Sequence, residues 1–273
     1  MEYIALDVKC SEELKEVLQA VLGGIGFDSF LENDEGFEAS IEQHLFDENE
    51  FKDTISFFED QISYSFKEVE KQNWNKLWES NYEPVVISDD LLIRASFHQP
   101  DKEYKHEIVI TPKMSFGTGH HSTTTLMLLN QLEIDHQDKV VADLGCGTGI
   151  LAVMAKKLGA TSVDACDIED WSVENALENA AINGIDINVT VGTVTDMPKK
   201  DSYDIVLANI NRNVLLNEMG IYAGMLKPQA TLLLSGFYTE DLPVIKEKAA
   251  EYGLVYESHK ERLNWVSAVF HKK

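Results

Sequence analysis

Residues 138–150, DKVVADLGCGTGI, lead a short β-branched apolar run straight into three alternate glycines, Gly145, Gly147 and Gly149, and then into the helical pattern ILAVMAKKLGA. Such a turn lies at the carboxyl end of a sheet strand, where open α/β sheets bind their ligands, and glycine leaves room for a ligand to approach the backbone. The spacing G-x-G-x-G misses the third glycine of the dinucleotide fingerprint G-x-G-x-x-G, which argues against a nicotinamide cofactor. Asp143 puts a carboxylate under the turn. The next apolar run, SVDACD, ends on Asp167, 22 residues beyond Gly145, where a carboxylate can accept both hydroxyl protons of a ribose. Trp171, just beyond, is placed either against a base or on the sheet.

Downstream, short apolar runs alternate with helical patterns: DWSVENALENAAING, INVTVG, YDIVLANI, NVLLNEMGIYAGML, ATLLLSGF and TEDLPVIKEKAAEYG, followed by LVYESHK and WVSAVFHK. The alternation predicts an α/β fold with a doubly wound, seven-stranded, mostly parallel sheet, closed at one edge by an antiparallel hairpin of the two strands that lack a helix between them. YDIVLANI ends in Asn209-Ile210-Asn211. An amide at that position can accept a proton from an incoming amine and aim its lone pair, or it can simply cap a turn.

The 23 Lys+Arg against 47 Asp+Glu give a net charge of −24, which repels a phosphate backbone and favours a basic protein as partner. More than half of it, −14, falls in residues 1–66. There the order strand, helix, two strands around a turn, helix, strand predicts a small α+β domain of ferredoxin-like type. Its second helix is expected over EFKDTISFFEDQI. A linker helix over 67–84 stacks Trp74 and Trp78 on one face and ends at Pro84; 85–273 is the expected catalytic domain. Cys10, Cys146 and Cys166 form no metal or redox pair, and no run approaches the ~18 apolar residues of a membrane span. A reducing cytoplasm is expected. His120 and His121 lack acidic or cysteine partners at metal-ligand spacing, so no metal is expected. General-base work by His121 stays open beside a structural role.

The D-x-G-x-G-x-G turn, the acidic strand end and the terminal hairpin resemble the class I S-adenosylmethionine-dependent methyltransferases, with their Rossmann-like sheet. Amino-group methyltransferases acting on adenine or glutamine use a related Asn-Pro-Pro-aromatic step; its prolines and aromatic are missing here. FGTGHHSTTT, residues 116–125, narrows the resemblance to the ribosomal protein L-eleven methyltransferases, whose common form is FGTGTHPTT. The likeness covers most of the chain: the acidic N-terminal domain, the W-x-x-x-W linker with Glu-Pro-Val, the loop, the glycine turn and the Asn-Ile step. It implies an S-adenosylmethionine-dependent enzyme, expected to be a cytoplasmic monomer, that methylates the α-amine and lysines of one ribosomal protein. It also implies Thr124, Gly145, Asp167 and Asn209 at the cofactor, Asn209 in the catalytic role. His120 replaces the common Thr; Ser122 replaces Pro and is expected to be the helix N-cap. Alternatives are another amine substrate, nucleic acid or small molecule, or a cofactor-binding module without turnover.

Overall fold

The computed structural model describes residues 3–69, 82–113, 116–197 and 201–273. Two units form, Met1–Tyr82 and Glu83–Lys273. Among the described residues no helix is long and apolar enough to cross a membrane.

In the first unit, β1 (Tyr3–Lys9), α1 (Glu12–Gly24), β2 (Ser29–Asn33), β3 (Gly36–Glu42), α2 (Glu48–Ile55) and β4 (Ser63–Val69) follow the order read from the sequence. The sheet order β2-β3-β1-β4 is antiparallel throughout, the ferredoxin-like arrangement. Alternation along β1 buries Leu6 and Val8 against Leu18 and Leu22 of α1 and Phe51 and Ile55 of α2. The second helix is shorter than expected. It stops at Ile55, and a 3-10 turn over Ser56–Phe58 packs Phe58 on the core while Phe57 stays in solvent. β4 takes the first residues of the expected linker; Trp74 and Trp78 lie outside the described residues.

The second unit opens with a three-stranded sheet, β5 (Val85–Ser88), β6 (Leu91–Ala95) and β7 (His106–Ile110). α3 (Ser122–Gln131) follows, then β8 (Val140–Leu144), α4 (Ile150–Lys157), β9 (Ser162–Asp167), α5 (Asp170–Ile182), β10 (Asn188–Val191), β11 (Tyr203–Asn209), α6 (Arg212–Met225), β12 (Leu226–Tyr238), α7 (Leu242–Glu251), β13 (Leu254–Arg262) and β14 (Trp265–Lys272). The main sheet runs β10-β9-β8-β11-β12-β14-β13, parallel except for β14, which is antiparallel to both neighbours. The predicted hairpin is there, with the last strand inside it: β14 buries the continuous run VSAVF, whereas β13 is mostly exposed and takes the edge. Successive β11 residues serve opposite cores. Val206 and Ala208 pack with α6 and α7, Ile205 and Leu207 with α3 and α4. The strand order reverses between β8 and β11, and in doubly wound sheets the ligand crevice opens at that point, outside the carboxyl ends.

Candidate functional site

All three glycines of the turn are left-handed, with φ of 66° at Gly145, 53° at Gly147 and 73° at Gly149. Close packing gives a further reason for glycine at two of these positions. A Cβ on Gly147 would collide with the Phe116 carbonyl oxygen, and one on Gly149 would stand 2.9 Å from Ala176 Cβ. The turn is packed against protein on these sides. Thr148 stitches the FGTG loop onto it: its N–H donates to Phe116 O (2.9 Å) and its hydroxyl to Gly117 O (2.7 Å).

α5 holds the strand that feeds this loop through asparagines at i, i+4 and i+8, which share one helical face. Asn183 exchanges hydrogen bonds with both backbone groups of Val109, accepting at 3.0 Å and donating at 2.6 Å. Asn179 Oδ1 accepts from Thr111 N at 2.8 Å while its Nδ2 donates to Thr148 O at 2.9 Å, so one side chain ties strand to glycine turn. Asn175 donates to Thr111 O. The helix thus satisfies backbone groups of a segment with no strand on that side.

A cavity of about 670 Å³ opens at the carboxyl ends of β8, β9, β11 and β12. Gly145, Gly147, Asp167 and Asn209 line it together, although they come from three strands. Thr124, Asp143 and Gly149 do not. Thr124 is fully buried one residue beyond the lining Thr123, and Gly149 forms the N-terminus of α4. Asp143 is a buried brace whose carboxylate accepts from Ala152 N at 3.0 Å. Burial raises its pKa to about 7, opposed by that hydrogen bond and aided by the nearby Asp167 charge. Asp167 accepts from Gly147 N (2.9 Å) and Glu169 N (3.1 Å), which fixes the carboxylate at the cavity and leaves lone pairs for a ligand.

The two asparagines at the end of β11 divide the roles that the sequence left open. Asn211 is the cap: its side chain accepts from Val214 N at the start of α6. Asn209 Oδ1 is buried with no hydrogen-bond partner among the described residues, and its residue borders the cavity. At α3 the N-cap is His121, not Ser122. His121 keeps extended backbone and accepts from Thr123 N through Nδ1, which leaves Ser122 as the first helical residue. The same Nδ1 stands 2.8 Å from Thr123 Oγ1, so that nitrogen is engaged at the start of the helix. The His121 ring packs on Trp265 at 4.8 Å and Phe116 at 5.2 Å, both of which line the cavity. His120 turns away, 3.1 Å from Glu83 O.

Trp265, Thr193, Val214 and Glu218 also line the cavity; the first three carry no local sequence signal. For Glu218 a hint existed: it lies four residues before Tyr222, on the side of α6 that buries Leu215 and Met219. Cys166 borders the cavity as well; burial pushes its thiol up to about 12, and Cys146 is likewise raised, so both stay protonated and unreactive.

A doubly wound sheet with the β14 insertion, a glycine turn under an acidic strand end and an unpaired amide at the next strand end is the architecture of a Rossmann-like methyltransferase. Comparison with known proteins specifies it further. The profile of the family "Ribosomal protein L11 methyltransferase (PrmA)" matches residues 2–273. A ribosomal protein L11 methyltransferase of Phocaeicola vulgatus is 42% identical over 96% of this chain and 95% of its own length. That of Chlorobaculum tepidum is 35% identical over 99% and 97%. A crystal structure of ribosomal protein L11 methylase from Lactobacillus delbrueckii superimposes with a TM-score of 0.65 at 32% identity, over 70% of this chain and all of that one. The chain belongs to the ribosomal protein L11 methyltransferase family.

Proposed function

We propose that the cavity binds S-adenosylmethionine and that the chain transfers its methyl group to amino groups, the α-amine and lysine side chains, of ribosomal protein L11. Family membership supports the reaction; the single observation that carries the site is the buried, unpartnered Asn209 Oδ1 at the end of β11. A buried carbonyl oxygen left without a donor costs about 1–3 kcal/mol, a penalty relieved when a ligand N–H arrives. The residues fit the cofactor. A volume of about 670 Å³ suits a nucleoside-sized molecule, and Asp167 has acceptor capacity for a ribose diol. Thr124 Oγ1 is also buried without a partner, one residue behind the lining Thr123, while Asp143 and Gly149 shape the turn from behind.

Bound S-adenosylmethionine supplies a methyl group activated by a sulfonium. The chain contributes orientation, charge and exclusion of water. Asn209 accepts an N–H of the amine and turns its lone pair toward the methyl carbon. Only a neutral amine has that lone pair; a lysine with pKa about 10.4 must lose its proton, whereas an α-amine near 7.8 sheds it readily. Phe116, His121 and Trp265 screen the reacting centre from water and disfavour the ammonium form. The acidic 1–66 unit serves as a docking surface for the basic ribosomal protein, joined through 67–84 to the catalytic unit from 85 onward, and the enzyme works in the cytoplasm, where ribosomes are assembled.

Mass spectrometry of ribosomal protein L11 after incubation with the chain and S-adenosylmethionine tests this. Methyl additions on amines are expected, with none on ribosomal RNA or small amines offered alone. Cofactor binding without turnover on any of these would leave a binding module in place of an enzyme.

A further inference from the structure

Of the cavity's carboxylates, Asp167 and Glu169 stand together at the end of β9; Glu218 comes from a different element and has no part in the chemistry above. Asn211, the N-cap of α6, and Val214 and Glu218 on the helix stand at i, i+3 and i+7, one row along it, and all three border the cavity. Tyr222, one turn further, is fully buried and donates its hydroxyl to Glu218 Oε2 at 2.7 Å. That bond fixes the carboxylate and leaves Oε1 to an outside donor. Its neighbours Leu215 and Met219 are buried apolar side chains, and a half-buried carboxylate beside them loses hydration that a ligand hydrogen bond would restore.

The strand order gives the direction of the ligand. Asn209 ends β11, Asp167 ends β9, and Gly192 to Val194 follow β10, with β8 between β11 and β9. With the methyl group at Asn209 and the ribose at Asp167, the base extends toward β10. Glu218 belongs to that end. Its neighbours on the helix, Leu215 and Met219, belong to one buried cluster with Cys166, the residue before Asp167, and with Val194, and both Cys166 and Val194 line the cavity with Glu218. The cofactor's donors can then be assigned in turn: the ribose hydroxyls to Asp167 with Glu169 beside it, the α-ammonium to the methionyl end by the glycine turn, and the 6-amino group to Glu218, the carboxylate away from the end of β9.

Resting on the S-adenosylmethionine reading, we propose that Glu218, held by Tyr222, accepts a hydrogen bond from the exocyclic 6-amino group of the base and so selects adenine. A 6-oxo base would set a carbonyl oxygen against the carboxylate, with no donor between them. S-adenosylhomocysteine and S-inosylhomocysteine differ at that group, and calorimetry on the full-length protein can compare them. The wild type is expected to prefer the adenine ligand by roughly 10- to 100-fold, the range of a hydrogen bond to a charged group. Glu218→Gln keeps an acceptor for Tyr222 and can offer either a carbonyl or an N–H to the base, so its preference should fall to within a few-fold of unity. A wild type that binds both ligands equally overturns the proposal without recourse to any variant. An unchanged preference in a folded Glu218→Gln protein overturns it too, while leaving the cofactor reading intact. Failure of the wild type to bind S-adenosylhomocysteine at all would remove the cofactor reading, and this proposal with it.

Discussion

The two units treat polar groups in opposite ways. Among the described residues Lys15 is the sole buried polar or charged side chain of the first unit, whose core is a cluster of phenylalanines and aliphatics while its carboxylates face solvent. The second unit buries fifteen, among them Asp143, Asn175, Asn179 and three successive threonines, and Asp143, Thr148, Asn175 and Asn179 are hydrogen-bonded to backbone around the glycine turn. A fold held by apolar packing tolerates surface change and can carry charge as its function. One held by buried polar contacts is rigid where chemistry needs rigidity and intolerant of small changes there.

The largest effect is expected where backbone meets backbone. Gly147→Ala must hold a left-handed φ and push aside the Phe116 carbonyl, so we expect destabilisation of several kcal/mol and loss of cofactor binding. Gly184, left-handed as well but with nothing within 4 Å of a Cβ, isolates the dihedral cost: Gly184→Ala should lose only about 1–2 kcal/mol. Equal melting temperatures for the two variants would show that the loop-to-turn clamp is not rigid.

Asp167→Ala removes two backbone contacts and the ribose acceptor; with each charge-assisted bond worth about 1.5–3 kcal/mol, calorimetry should show most cofactor affinity gone. Asn209→Ala should separate turnover from stability. It deletes a buried unpaired acceptor, so the melting temperature should hold or rise while kcat falls about 100-fold. An unfolded variant would make Asn209 structural after all.

Asp143 tests the buried polar network through pH. Its folded pKa of about 7 lies above the unfolded value near 3.9, so the native state binds the extra proton. Stability from this group is therefore fully present below pH ~4 and is lost as pH rises toward 7, a change on the order of a few kcal/mol. Asp143→Asn, neutral throughout, should flatten the melting temperature across that window; an unaltered profile would mean that another group titrates.

What the sequence disclosed follows from range. Alternation of period 2 and 3.6 marked β8 through β14 and their helices because each pattern is local, and the glycine turn with Asp167 needed only one βαβ unit. The placement of β14 inside β13 was not legible, since it depends on which strand the sheet buries. Ser122 looked the better cap, yet His121 takes that place because its ring is held between Phe116 and Trp265, the latter 144 residues away. Asn209 and Asn211 are chemically identical in the sequence; only the start of α6 assigns the cap to one and leaves the other unpaired.

The smallest effect concerns the first unit, where the comparison assigns function to surface charge. Residues 1–66 carry −14 of the chain's −24. Complementary charge mainly speeds encounter, and between exposed groups it is screened over ~8 Å at physiological ionic strength. Methylation of intact ribosomal protein L11 at low substrate should therefore slow several-fold between roughly 0.05 and 0.5 M salt, through KM more than kcat, while S-adenosylhomocysteine affinity, set inside the second unit, changes little. A chain starting at Val85 should keep cofactor binding, lose methylation of the intact substrate and show no salt dependence on a short lysine peptide. Ion pairs on the unit itself, such as Lys52 with Glu48 at 2.6 Å, are exposed and contribute little to stability, so salt should leave the unit folded over the same range. If rate and melting temperature fell together, the acidity would be acting on folding; if neither moved, the charge would serve solubility and the docking role would pass to the apolar residues the unit exposes, Phe57 and Leu31 among them.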